Sequence, residues 1–551
     1  MSKVIIVGGV AGGASAAARL RRLDEDAQII MFEREAHISI ANCGLPYYIG
    51  DTIQDRAKLL VQTPEAMHQR FGIEVRTHSE VISIDPIRKV VTVNSKERGD
   101  YEESYDNLIL SPGAKPMVPP IPGIDSSRIF TMRNIPDTDR IKAYIEDHEV
   151  RRAVVIGGGF IGIEMAENLI HRGIKTTIVE AAPHILAPFD SDMVTHAEKE
   201  LAEHGASFAL HDGVLAFHEG EGGIEVELSS GRREAVDLII LAIGVRPDTA
   251  FLQDTGIELG QRGHIIVDEH MRTNMPGIYA VGDAVEVKQL VNGQQTTIPL
   301  AGPANKQGRI AADHICGLDS AYRGSLGTSI IKIFGLTGAA TGMNERALRQ
   351  SGMSYHVVHL HPASHATYYP GAEPIALKLL FDEDGRILGA QAFGREGVDK
   401  RIDVIATAMR LRGTVHDLEE LELAYAPPYS SAKDPVNMAG FIAVNVLSGR
   451  SKVITSEQLD HMDLREVQLI DVRTEAEYAR GHLPDAVNIP VDTLRDRLDE
   501  IDREQEVIVY CQVGLRGYTA SRILAQRGYK VTNLTGGYKS YVMAHYVPQA
   551  Q

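Results

Sequence analysis

Ala153-Val154-Val155-Ile156-Gly157-Gly158-Gly159-Phe160-Ile161-Gly162 is an apolar strand that breaks into a glycine-rich turn and then a helix running through Glu164. The strand Thr177-Ile178-Val179 follows and ends on Glu180. This is a βαβ dinucleotide-binding pattern. Its glycines let the backbone approach a pyrophosphate at a helix N-terminus, and the carboxylate about 20 residues on accepts from ribose hydroxyls. The same unit opens the sequence: Val4-Ile5-Ile6-Val7, then Gly8-Gly9-Val10-Ala11-Gly12-Gly13, an alanine-rich helix, and Ile29-Ile30-Met31-Phe32 ending in Glu33. Val10 stands where the middle glycine is expected, so the first copy draws its weight from the second.

The remaining composition narrows the setting. At about 150 residues per domain, 551 residues imply three or four domains. A net charge of -18, from 74 acidic against 56 basic residues, argues against a nucleic-acid or anionic-membrane surface, so an anionic ligand has to meet local basic clusters. The start reads as a strand rather than a signal peptide, and no apolar run reaches the length of a membrane span. Three scattered cysteines make no disulfide framework, so a reducing cytoplasm is expected. No metal site is expected, because none of the 21 histidines pairs with a cysteine at ligand spacing.

Further segments join the two dinucleotide units. Gly277-Ile278-Tyr279-Ala280-Val281-Gly282-Asp283 ends a strand on an aspartate suited to the ribityl chain of a flavin. Leu108-Ile109-Leu110-Ser111-Pro112-Gly113-Ala114, and Leu238 through Gly244 with Arg246-Pro247, read as linking segments. Over about residues 1 to 445 the pattern resembles the pyridine nucleotide-disulfide oxidoreductases. The resemblance implies FAD at Gly8, Gly9, Ala11, Gly12, Glu33, Arg34, Ser111, Pro112, Gly113, Gly282 and Asp283. It implies a nicotinamide nucleotide at Gly157, Gly159, Phe160, Ile161, Gly162, Glu180 and Gly244. Glu180 would repel a 2′-phosphate and no arginine follows in Ala181-Ala182-Pro183-His184, so NADH is favoured.

Cys43 lies in Ser39-Ile40-Ala41-Asn42-Cys43-Gly44-Leu45-Pro46-Tyr47-Tyr48, with no second cysteine nearby to form an internal disulfide. It therefore pairs with an external thiol or works as a sulfenic acid. Cys316, in Ala311-Ala312-Asp313-His314-Ile315-Cys316-Gly317, reads as a buried small residue. On the first helix Ser15, Arg19 and Arg22 share a face, with Arg21 adding charge: either a solvated surface or a site for a thiol with a phosphorylated handle, such as coenzyme A. Ser39, Asn42, Cys43 and Tyr425-Ala426-Pro427-Pro428-Tyr429-Ser430-Ser431-Ala432-Lys433-Asp434 resemble the coenzyme A-disulfide reductases. That resemblance implies a homodimer, coenzyme A at Ser15, Arg19, Arg22, Ser39, Asn42 and Lys433, and partner tyrosines near the cysteine sulfur, namely Tyr425 and Tyr368, with Tyr369 adjoining as a rival for the second place.

Beyond the polar linker Leu447-Ser448-Gly449-Arg450 the chain changes character. Val467-Gln468-Leu469-Ile470-Asp471-Val472-Arg473, Glu477, Gly481-His482-Leu483-Pro484 and Ala486-Val487-Asn488-Ile489-Pro490 precede the strand Val507-Ile508-Val509-Tyr510 and the loop Cys511-Gln512-Val513-Gly514-Leu515-Arg516-Gly517. This segment resembles a rhodanese domain, whose loop aims N–H groups at a thiolate or persulfide on Cys511, with Arg516 adding positive charge.

The expected architecture is α/β: two Rossmann-like dinucleotide-binding domains, an α+β dimerisation domain and a C-terminal α/β rhodanese domain. Its boundaries are 1–115 with 245–320 for FAD, 116–244 for NADH, 321–447 for dimerisation and 453–551 for rhodanese. The halves together resemble the coenzyme A-disulfide reductase and rhodanese fusions, including NADH-dependent persulfide reductases. The expected activity is reduction of coenzyme A persulfide, polysulfide or coenzyme A disulfide by NADH, with release of sulfide. Two rivals stand beside it: an NADH oxidase or peroxidase working through a Cys43 sulfenic acid, and a sulfur carrier without turnover.

Overall fold

The structure, a computed structural model, describes residues 2–220 and 222–548. Contacts divide the chain into two units, Met1–Pro183 with Gly205–Gly327, and His184–His204 with Thr328–Gln551.

The first unit repeats one design twice. Lys3–Val7 lies in a five-stranded sheet between Asn107–Leu110 and Gln28–Phe32, with Ile278–Ala280 and Glu74–Arg76 at the edges, all parallel. Its central strands are apolar on both faces because helices, among them Ala11–Leu23 and Ala301–Ile315, cover one side while Val81, Ile84, Val91 and Val93 of neighbouring antiparallel strands pack on the other. The helix Ala11–Leu23 springs directly from the glycine turn and packs against Ala301–Ile315. At their contact a Cβ on Gly308 would stand 2.2 Å from the Gly12 carbonyl oxygen. The second copy places Arg152–Ile156 between Leu238–Leu241 and Lys175–Glu180, flanked by Ile129–Phe130 and Ser207–Leu210, again all parallel.

The repetition reaches beyond the βαβ units. Each copy carries a three-stranded antiparallel sheet, Ser79–Asp85, Val90–Ser95 and Gly99–Ser104 in the first and Val214–Gly220, Gly223–Leu228 and Arg233–Val236 in the second. The two linking segments read from the sequence pair with each other as the antiparallel strands Ala114–Pro116 and Val245–Pro247.

In the second unit, Ser329–Ile333, Leu336–Gly342, Ile387–Gly394, Ala376–Phe381 and His356–Leu360 form one antiparallel sheet in that order. The helices Val398–Arg410 and Pro435–Leu447 pack on it, giving the α+β character expected from the sequence. The rhodanese-like segment has its own parallel sheet, ordered Val453–Ile454, Val531–Leu534, Glu506–Tyr510, Val467–Asp471 and Val487–Asn488, with apolar clusters around Val509 and Ile508.

Within this unit the rhodanese-like segment is stitched to the antiparallel sheet. The His359 amide donates to Thr535 Oγ1 at 2.7 Å, His361 Nε2 meets Ser540 Oγ at 2.7 Å, and Arg349 pairs with Glu457 at 2.5 Å. Segment 184–204, read from sequence inside the 116–244 domain, groups with this unit. Its helix Ser191–Glu203 brings in Asp192, which with Asp190 and Glu345 surrounds Lys378 at 2.8, 3.0 and 2.5 Å. Among the described residues no helix is long and apolar enough to cross a membrane.

Lys378 is 0 % exposed, and its three carboxylates keep it charged. Burial alone would raise the Asp192 pKa, but Lys378 and His359 hold it far below the usual carboxylate range. Removing the cation strands like charges in a dry site. Lys378→Met is expected to destabilise the unit by about 3–5 kcal/mol, read as a lower guanidinium midpoint by far-UV circular dichroism. An unchanged midpoint refutes the role.

Candidate functional sites

The first glycine turn is shaped by what cannot fit there. Gly8 has a φ of 97°, and a Cβ on Gly13 would lie 1.9 Å from the Gly8 carbonyl oxygen. Gly13, to which the sequence reading gave no separate role, is thus the glycine that lets helix and strand approach. Buried Glu33 accepts from the Gly9 amide at 3.0 Å and the Glu35 amide at 3.1 Å, while burial raises its pKa. Ala11 and Gly12 start the helix beside this turn. The Ser111 amide donates to Val7 O at 2.8 Å, and beyond Pro112 the Gly113 carbonyl accepts from the Asp248 amide at 3.0 Å.

Just past the edge strand Ile278–Ala280, the Gly282 amide donates to Gln307 Oε1 at 2.7 Å. Burial raises the pKa of Asp283, whose nearest cation is Arg133 at 3.8 Å. Arg34 is tied to Asp248 and, at 3.4 Å, to Glu80. Apart from this committed guanidinium, the set fits a dinucleotide lying across the turn: an approachable backbone, a seated ribose carboxylate and a second acid held back from solvent.

The second turn repeats the geometry. Gly157 has a φ of 108°, and a Cβ on Gly162 would lie 2.0 Å from its carbonyl oxygen. A Cβ at Gly159 would meet nothing within 4 Å, which leaves the middle position open to a ligand. Glu180 accepts from the Gly158 amide at 2.7 Å and the Ala182 amide at 2.8 Å. Phe160 and Ile161 open the helix Phe160–His171, and the Gly244 carbonyl accepts from the Met117 amide at 3.0 Å.

Cys43 sits in the short turn Asn42–Gly44, leading into the helix Leu45–Ile49. It is solvent-exposed, yet crowding around the turn pushes its thiol pKa up, and the charges of Glu164 and Asp283 push the same way. Glu164 is a neighbour that sequence reading did not single out. Burial and Glu167 raise its pKa to about 7, so near neutrality it is charged only part of the time. It arrives because the helix Phe160–His171 packs on Leu45–Ile49, with Arg172 donating to Ile49 O at 3.0 Å. Burial, then Glu164 and Glu167, raise the Tyr47 pKa to about 12. Cys316 is half-buried, less enclosed than the buried small residue expected from the sequence.

The positions expected to meet coenzyme A divide by what already engages them. The Asn42 Oδ1 atom is buried without a protein partner, so it awaits a donor. Ser39 has a φ of 49° and is pinned by its amide on Gly9 O at 2.8 Å. Ser15 Oγ bonds Asn305 Oδ1 at 2.5 Å, Arg19 pairs with Asp313 at 2.6 Å, and Arg22 is exposed. Arg21 corrects the sequence reading. It is 7 % exposed and donates to the carbonyls of Phe71, Asp24, Glu25 and Gly72, so it belongs to the fold and not to a basic surface.

In the second unit the Tyr368 and Tyr425 hydroxyls meet at 2.7 Å, although the rings are 73 % and 48 % exposed. That contact separates Tyr368 from Tyr369, whose amide donates to Ala366 O and whose ring packs edge-on against His365. Lys433 is exposed beside the buried Asp434.

Cys511 ends the strand Glu506–Tyr510 and is buried, its sulfur accepting from the Gly514 amide at 3.1 Å. Arg516, in the first turn of Leu515–Gln526, gives both terminal nitrogens to Glu477 at 2.7 Å each. That pairing holds the Glu477 pKa at about 2. The loop cation is therefore largely balanced by Glu477, although it still interacts with Cys511, whose sulfur the Gly514 amide also meets. Glu477 entered the sequence reading as a motif residue, but its partner emerges only in the fold. Behind the loop, Arg473 pairs with Asp471 at 2.6 Å and donates to Gln512 at 3.0 Å.

The chain matches the pyridine nucleotide-disulphide oxidoreductase model over residues 2–308, its dimerisation domain over 328–435 and a rhodanese-like domain over 455–544. A Staphylococcus aureus protein described as coenzyme A disulfide reductase is 40% identical over 446 residues, covering 80% of this chain and all of its own. The reduced CoADR-RHD of Bacillus anthracis superposes with a TM-score of 0.97 at 51% identity, covering 98% of each chain. An NAD-dependent persulfide reductase from A. fulgidus gives 0.92 at 35% identity, covering 99% of this chain and 100% of the other. The chain belongs to the pyridine nucleotide-disulphide oxidoreductases, enzymes that work with FAD and a nicotinamide nucleotide, and joins that machinery to a rhodanese-like domain.

Proposed function

We propose that the protein uses NADH to reduce sulfur carried on coenzyme A, with its rhodanese-like domain loading sulfane sulfur. The observation that carries this reading is the pair of isolated cysteines in opposite settings, Cys43 exposed in a family oxidoreductase unit and Cys511 buried under a backbone amide. The names borne by the S. aureus and A. fulgidus relatives support the same substrate class.

Cys511 thiolate takes the terminal sulfur of a polysulfide, becoming a persulfide and releasing a chain one sulfur shorter. The Gly514 N–H steadies the anion on Cys511 before transfer to coenzyme A thiolate. Cys43 thiolate then attacks the coenzyme A sulfur of that persulfide. A Cys43–coenzyme A disulfide forms, and the S–S bond to the outer sulfur breaks, releasing hydrosulfide. FAD, when bound, supplies the two electrons of NADH that return this disulfide to Cys43 thiolate and coenzyme A. In a homodimer, Tyr368 and Tyr425 of the partner subunit are the proton source for the departing thiolate, and Lys433 and Arg22 meet the coenzyme A phosphates. Glu33 and Asp283 would hold FAD, and Glu180 would hold the NADH ribose diol, both of its oxygens being oriented by backbone amides.

Three outcomes test this reading. Because a fixed carboxylate disfavours a 2′-phosphate, the protein is expected to prefer NADH over NADPH, and Glu180→Ala to shrink the kcat/KM ratio by about tenfold, near 1.4 kcal/mol. Equal use of both nucleotides by the unaltered protein defeats the assignment.

Cys43→Ser is expected to keep its FAD and the rate of FAD reduction by NADH, while turnover with coenzyme A disulfide falls by about a thousandfold or more. Full sulfur reduction by that variant removes Cys43 from the chemistry. Oxygen-driven NADH oxidation faster than any sulfur-driven rate in the unaltered protein supports the oxidase alternative instead.

Cys511→Ser is expected to depress coenzyme A-dependent NADH oxidation with polysulfide at least tenfold, yet leave coenzyme A disulfide reduction within about twofold. Equal losses on both acceptors contradict a separate loading step.

A further inference from the structure

Tyr368 and Tyr425 come from distant stretches of the chain, and the loops that carry them share one buried cation. Arg401, on the helix Val398–Arg410, is 2 % exposed. One of its terminal nitrogens donates to Ser364 O at 2.8 Å, Asp434 Oδ2 at 3.1 Å and Ser430 Oγ at 3.2 Å, and the other donates to Gly397 O at 3.1 Å. Ser364 begins the run that leads to Tyr368, while Ser430 and Asp434 close the run that starts at Tyr425.

Two further bonds tighten the junction. Ser430 Oγ donates to Asp434 Oδ2 at 2.7 Å, and the Ala366 amide donates to Ser430 O at 3.1 Å. Asp434 in turn accepts from the Val436 amide at 3.0 Å, which ties the junction to the start of the helix Pro435–Leu447.

Both phenols are substantially exposed in the single chain, and freezing each costs side-chain entropy. Their 2.7 Å contact therefore depends on where the two backbones are placed. A guanidinium suits that task because its planar fork donates in several fixed directions at once, which an ammonium on a flexible stem does not.

We propose that Arg401 is the positioning residue of the tyrosine pair: by bridging Ser364, Ser430 and Asp434 it sets the Tyr368–Tyr425 contact and through it the rate of proton delivery to sulfur. This rests on the reading above that the two tyrosines serve the sulfur chemistry. Arg401 itself touches neither substrate nor cofactor in this scheme. Misplacement by about 1 Å at such a relay is enough to cost up to about a hundredfold in rate.

The test is a double-mutant cycle in the full-length, FAD-loaded protein, pairing Arg401→Lys with Tyr425→Phe. Lysine keeps a charge for Asp434 but loses the fork. Arg401→Lys is expected to lower kcat with coenzyme A disulfide about tenfold while FAD reduction by NADH in stopped flow stays within about twofold. In the Tyr425→Phe background the same substitution is expected to cost less than about twofold.

An undiminished loss in that background, or an equal slowing of FAD reduction, overturns the proposal in favour of a general structural role. Full activity of Tyr425→Phe by itself defeats the underlying reading and the proposal with it. Should Arg401→Lys not fold, Ser430→Ala takes its place in the cycle, with an expected loss of about threefold that likewise vanishes beside Tyr425→Phe. Persistence of that loss counts against positioning.

Discussion

Two backbone contacts govern how the first unit can work. At each strand-to-helix turn a glycine lies so close to the carbonyl of the residue that opens the turn that any Cβ would sit about 2 Å from oxygen, at Gly13 over Gly8 and at Gly162 over Gly157. No side chain is compatible with that distance. The close approach brings each helix N-terminus to the end of its strand, and the carboxylates of Glu33 and Glu180 complete each turn by accepting its amides. Everything the unit offers a dinucleotide follows from these two contacts: exposed N–H groups, a positive helix end and a seated acid. The first copy tolerates Val10 because the middle position governs approach of a ligand, whereas the last glycine governs whether the turn closes at all.

The second unit relies on buried charge in place of close backbone. Lys378, Arg401 and Arg473 are each buried, and each is met by carboxylates: three around Lys378, Asp434 at Arg401 and Asp471 at Arg473. An unpaired cation in such places would be prohibitive, so each cluster specifies one arrangement of the segments that contribute to it. Lys378 draws a helix from residues 184–204 against a sheet begun after residue 328. Arg401 gathers the two tyrosine loops, and Arg473 steadies Gln512 beside Cys511. At Arg401 and Arg473 the charge orders backbone that carries a candidate site residue or its neighbour.

The two sulfurs illustrate how setting separates chemistry. Cys511 is buried, in contact with a backbone amide and close to a guanidinium already balanced by Glu477, an arrangement that favours holding an anionic sulfur in place. Cys43 is open to solvent and faces acids, with Glu164 poised near neutrality beside it, an arrangement suited to meeting a ligand from outside. The unpartnered Asn42 oxygen next to it marks the same side as unfinished in the protein alone.

Local patterns were sufficient for the architecture. The two glycine turns with their acids, the lone cysteine in its Asn-Cys-Gly-Leu-Pro setting and the loop after Val507–Tyr510 are all encoded within about 30 residues, the range over which strand, turn and helix geometry is dictated by neighbours in the chain. Partner choice was not legible in that way. Arg21 and Arg22 are adjacent and chemically identical, yet one caps four carbonyls inside the protein and the other is exposed. Tyr368 and Tyr369 are equally ambiguous until Tyr425 meets the first of them. The pairing of Arg516 with Glu477, the arrival of Glu164 beside Cys43 and the transfer of segment 184–204 to the second unit depend on contacts between residues far apart in sequence. Burial and long-range charge pairing decide such contacts, and neither is a property of a short stretch of chain.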